Sequence, residues 1–122
     1  MLTPMGVGWT NLQASRVAAA LEAHPPTSAR CERCAIEVRG IGIEADPTAH
    51  CLSVRPAGRE PFVIPKADLG GRFWHYHFTA NVRMHCVDVL TSVPGTETAR
   101  YLATHWKYPE GLVLCEEEPA DD

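Results

Sequence analysis

The chain has 122 residues, enough for one domain, and its 45% hydrophobic and 21% charged residues suit a globular protein rather than a disordered one. Eleven Lys and Arg against fifteen Asp and Glu give a formal charge of -4, which argues against a nucleic-acid-binding surface, since tracking phosphates needs clustered cations. No apolar run approaches the ~18 residues of a membrane span, no secretory leader follows Met1, and five cysteines, an odd number, read as reduced thiols in a cytosolic setting.

Residues 1–10, with Pro4, Gly6 and Gly8, read as a loose lead-in. Leu12, Val17, Ala18, Ala20 and Leu21 then mark a helix of about 14 residues from near Thr10 to His24. Pro25 and Pro26 stop it. Thr27 or Ser28 is placed to cap a second helix through Cys31, Cys34, Ala35, Ile36 and Val38, whose end is weakened by Gly40 and Gly42. From His50 the pattern shortens to extended pieces. Cys51–Val54 is one, and Pro61–Pro65 is a second, set at an edge by its prolines. Phe73–Ala80 carries the strongest strand signal, and Met84–Leu90 follows after a break. Thr96–Trp106 reads as a third helix and Leu112–Leu114 as a short last strand. The expected architecture is α+β, with N-terminal helices packed on a mostly antiparallel sheet. Residues 1–115 form one domain in this reading, and the acidic stretch 116–122 a disordered tail.

Three residues draw attention for chemistry. Cys34 stands where a helix begins, so free backbone amides and the helix dipole favour its thiolate, with Arg30 and Arg33 adding positive charge. In Phe73–Ala80, period-two alternation puts Trp74, Tyr76, Phe78 and Ala80 on a core face and His75 and His77 on the other. Folding this strand onto Met84–Leu90 about a connection centred between Val82 and Arg83 sets His77 directly opposite Asp88, with Cβ atoms about 5 Å apart. A carboxylate beside an imidazole fixes its tautomer and strengthens it as a base. Nucleophile Cys34, base His77 and orienter Asp88 then form a thiol acyl-transfer site.

The run Cys31-Glu32-Arg33-Cys34-Ala35 resembles the C-x-x-C-A opening of the papain-fold toxin domains of bacterial polymorphic toxins. His77-Phe78-Thr79-Ala80-Asn81-Val82, followed by Cys86-Val87-Asp88-Val89-Leu90, resembles that family's H-x-x-x-x-V…V-x-D strand pair, and Trp106 matches a later tryptophan. The resemblance spans about residues 10–115 and rests on these short motifs. It implies a papain-like fold, a Cys-His-Asp site at Cys34, His77 and Asp88, and hydrolysis of amide bonds without a cofactor, as a protein-glutamine deamidase or a cysteine peptidase. It also implies a protein substrate in the cytosol of a target cell and a cognate immunity protein as partner. The glutamine that larger papain-like peptidases carry shortly before the nucleophile is missing from Thr27–Arg33, and Gln13 lies far back. The Cys34 amide and Ser28 are the stand-ins considered for the oxyanion. Two other readings compete. Cys31 and Cys34 with His50-Cys51, His75-x-His77 or His85-Cys86 assemble a zinc module, and an inert acidic domain serves as a binding module.

Overall fold

The structure is a computed structural model that describes residues 6–26, 30–59, 61–69 and 73–120. Thr10 starts the first helix, α1 (Asn11–Ala23), with a capping box. Its hydroxyl accepts the Gln13 N–H at 3.1 Å while the Gln13 side chain accepts the Thr10 N–H at 3.0 Å. The helix ends ahead of Pro25 and turns Val17 and Ala20 inward. The second helix, α2 (Cys31–Ala45), continues through both glycines that the sequence reading placed at its weak end. Packing explains why it does. A Cβ on Gly42 would lie 2.5 Å from Val82 Cγ2, so the missing side chain is what lets α2 approach the sheet. The expected cap at Thr27 or Ser28 lies outside the described residues.

Five strands follow: β1 (His50–Pro56), β2 (His77–Val82), β3 (His85–Val87), β4 (Thr96–Glu97) and β5 (Leu112–Glu116). They form one antiparallel sheet in the order β4-β3-β2-β1-β5. A short helix, α3 (Thr98–His105), and a 3-10 turn at Pro109–Gly111 lie between β4 and β5. The α+β class expected from the pattern is the class observed. One core, with Val17, Val38, Ile41, Ala80, Val82 and Val87, fills the space between the helical pair and the sheet. A second, with Leu52, Val54, Val63, Tyr101 and Trp106, covers the opposite face. Central β2 is therefore buried along its whole length, and His77 is shielded from bulk solvent although it lines a cleft. Among the described residues no helix is long and apolar enough to cross a membrane.

The two long strand expectations are shortened. Only His77–Val82 of Phe73–Ala80 is strand; Trp74 instead exchanges two backbone hydrogen bonds with Val63, at 2.7 and 3.0 Å. Met84–Leu90 keeps only His85–Val87, because the Asp88 carbonyl accepts the Thr91 and Ser92 N–H groups and turns the chain. A two-residue turn closes the hairpin, centred one residue later than expected. Arg83 and Met84 both adopt left-handed φ, 49° and 63°, and Val82 pairs with His85. Displacing the turn centre by one residue moves each partner by two, so His77 and Asp88 keep a common face but meet diagonally.

Residues 7–9 and 116–119 are better anchored than their composition suggests. Val7 is buried, donating its N–H to Pro94 O at 3.0 Å, and the Trp9 indole donates to Val93 O at 2.8 Å. At the other end the expected disordered tail from residue 116 is corrected through residue 119. Arg55 grips Glu117 with two bonds of 2.6 and 2.8 Å, Ser53 donates to the same carboxylate, and Glu118 accepts the Cys51 N–H at 2.6 Å while pairing with Arg39. Pro119 is buried. Asp121 and Asp122 lie outside the described residues.

The two helical glycines are expected to respond oppositely to alanine. Gly40 has nothing within 4 Å of an added Cβ, so Gly40→Ala should stabilise by about 0.5–1 kcal/mol through lower unfolded-chain entropy. Gly42→Ala should destabilise by about 1–3 kcal/mol as α2 is pushed off β2. Urea unfolding followed by tryptophan fluorescence measures both.

Candidate active site

His77 is the first residue of β2 and is 2% exposed. Its ring lies between two indoles, 5.5 Å from Trp74 and 5.2 Å from Trp106 by centroids. Nε2 stands 3.3 Å from Asp88 Oδ2. The turn after β3 and helix α3 hold that carboxylate in place. Oδ1 accepts the Leu90 and Thr91 N–H groups at 2.8 and 3.1 Å, and Oδ2 accepts the Tyr101 hydroxyl at 2.6 Å. A carboxylate with this many donors stays ionised and has little freedom to rotate.

Burial alone would push the His77 imidazole toward neutrality, but the hydrogen bonds of Asp88 and Cys31 outweigh it and raise its pKa. Burial likewise works against the Asp88 anion, and the hydrogen bond and charge of His77, with the Tyr101 hydroxyl, hold its pKa below the ordinary carboxylate range. Because Nε2 is committed to Asp88, Nδ1 is the nitrogen left for the thiol.

The thiol at the head of α2 is Cys31. It is the first residue of the helix, half-buried, and lines the same cleft as His77, whose pKa it helps to raise. Cys34, expected as the nucleophile, sits one turn further into the helix. It is 3% exposed and packs with Val38, Ala80 and Val82. Burial first, then the Asp88 and Glu37 charges, push its thiol up to about 12. Its backbone N–H is spent on Arg30 O at 3.0 Å, so it offers no oxyanion donor. Ser28 lies outside the described residues, and the Gln13 amide is tied into the α1 cap. Cys51 and Cys86 are also buried thiols whose pKa burial raises to about 12.

A cleft of about 240 Å³ opens onto these groups. Cys31, Cys34, His77 and Asp88 line it together with an apolar wall of Phe73, Trp74, Tyr76, Phe78 and Val89. Arg30, Glu32 and the exposed His75 border it as well, and the Tyr76 hydroxyl donates to Glu32 at 2.6 Å. The first-turn amides of α2 have no acceptor within the helix, and Arg30 at its N-cap supplies no side-chain bond. Among the described residues no three His, Cys, Asp or Glu side chains cluster as metal ligands, so the zinc reading has no assembled ligand set.

Sequence reasoning gave Cys31 no role beyond the motif and a zinc ligand, and gave Tyr101 and Trp74 no part in the site. The C-x-x-C spacing contained the signal for the first. Whichever cysteine falls at the helix start gains the free amides, and α2 begins at Cys31. No family model, curated protein or solved structure matches the chain.

The buried pair gives stability a pH profile with a maximum. His77, held above its ordinary 6.5, stabilises fully below that value and loses the contribution as pH rises through the raised pKa. Asp88, held below its ordinary 3.8, stabilises above that value and loses the contribution as pH falls through the lowered pKa. Unfolding midpoints across pH should therefore peak between those ordinary values, and Asp88→Asn should flatten both limbs. Asp88→Ala should remove about 3–5 kcal/mol at the maximum, because the His77 charge is left buried and unpaired.

Proposed function

We propose that the chain is a papain-like thiol amidohydrolase in which Cys31 is the nucleophile, His77 the proton carrier and Asp88 the orienter. What carries this reading is a buried imidazole paired with a fixed carboxylate and sharing an apolar cleft with a helix-leading thiol. Nδ1 of His77 takes the Cys31 proton, and the thiolate adds to a carboxamide carbon. The free amides at the head of α2 and its dipole favour the oxyanion that forms. His77 then protonates the departing nitrogen, leaving a thioester. Water, deprotonated by His77, attacks that thioester and releases the acid and the free thiol.

The cleft's size favours one side chain over an extended peptide, so deamidation of a protein glutamine, with ammonia leaving, is the preferred outcome. The motif likeness to papain-fold toxins supports an effector that works in the cytosol of a target cell, with an immunity protein as its partner. In that motif the second cysteine is the nucleophile; here the first takes the role because the helix begins there.

Brief iodoacetamide exposure at neutral pH, read by peptide mass spectrometry, tests the site. Cys31 should label about tenfold or more faster than half-buried Cys115, and His77→Ala should erase the advantage. Ammonia release from glutamine-containing proteins should fall on the order of 10³-fold or more in Cys31→Ala and survive in Cys34→Ala. Uniform slow labelling of all five thiols overturns the reading.

A further inference from the structure

The amidohydrolase reading leaves Cys34 without a task, although it lines the same cleft as Cys31 and follows it by three residues on one helix. Helical geometry sets their Cα atoms about 5 Å apart, inside the range that a disulfide spans. Cys31 occupies the first helical position, where the backbone has the freedom of a helix end. The pair is asymmetric: one thiol is half-buried in the cleft that the His77 imidazole also lines, and the other is fully buried.

We infer that Cys31 and Cys34 form a reversible peroxide-responsive pair, with Cys31 oxidised first and Cys34 resolving it into an intrahelical disulfide. The inference rests on Cys31 being the reactive thiol, not on the amide chemistry. In the first step the Cys31 sulfur attacks one oxygen of a hydroperoxide and the O–O bond breaks. Sulfur is oxidised by two electrons to the sulfenic acid, and the peroxide is reduced to water or an alcohol. In the second the Cys34 sulfur attacks the Cys31 sulfur, the S–O bond breaks, and the hydroxide leaves with the Cys34 proton as water. A dithiol reductant returns both thiols. Burial, which pushes Cys34 up to about 12, keeps it a protonated thiol that peroxide does not oxidise directly. Oxidation by this route occupies the nucleophile and spares it from the irreversible sulfinic acid.

Trypsin makes the test clean, because it cuts after Arg30, Arg33 and Arg39 and so separates the two cysteines. Wild-type protein is treated with hydrogen peroxide at one to a few equivalents, free thiols are blocked with N-ethylmaleimide, and the digest is mapped with and without dithiothreitol. The expected product is Cys31–Arg33 joined to Cys34–Arg39, released by the reductant, with loss of iodoacetamide labelling at Cys31. With dimedone present, Cys34→Ser and Cys34→Ala should instead give the Cys31 adduct. A link from Cys31 to Cys51, its other packed neighbour, or sulfinic acid at Cys31 without the joined peptides, overturns the pair while leaving Cys31 as nucleophile. Failure of Cys31 both to alkylate and to oxidise overturns this inference and the proposed function together.

Discussion

An imidazole and a carboxylate share the interior between the sheet and α3, and much of the molecule's second core is arranged around them. His77 and Asp88 are both nearly inaccessible. Such a pair is tolerable only when every remaining lone pair and proton is met. Here the turn after β3 supplies two amides, α3 supplies a phenol, and two indoles close over the ring. Tyr101 and Trp106, from α3 and its C-cap, are thus the reason that a helix of eight residues is needed on this face at all.

The opposite face obeys a different constraint. α2 lies close enough to β2 that residue 42 has no room for a side chain. That proximity delivers the head of the helix to the open end of the sheet, where β2 begins. The thiol comes from the helical layer and the dyad from the face under α3, so the site is assembled around the end of a central strand rather than on one surface.

Much of this was legible in the residues. The proline stops and apolar spacing placed α1 and α2, and folding the aromatic strand back onto the next one placed β2 and β3 as neighbours with His77 and Asp88 on one side. The errors have physical sources. Gly42 looked like a helix breaker because propensity is local, whereas its role is a contact with Val82 from 40 residues away in sequence. Arg83-Met84 does not look like a two-residue turn, since neither residue favours left-handed φ. Asp46 accepts the Arg83 N–H at 2.8 Å and Val7 O accepts its guanidinium at 3.1 Å, and neither partner is adjacent in the chain. Cys34 was singled out as standing at a helix start, whereas α2 begins three residues earlier, at Cys31. The buried Tyr101 bond had no signature in the pattern, because it depends on where α3 docks.

The acidic end carries a consequence of its own. β5 is a margin of the sheet, paired among the described residues with β1, and Glu117 and Glu118 clamp it there through Arg55, Arg39, Ser53 and the Cys51 amide. Residues that composition assigns to solvent thus act as a selvedge for the sheet. Trimming the polypeptide after residue 115 would unpick it and bare the backbone of β1, inviting another molecule to zip on as an extra strand.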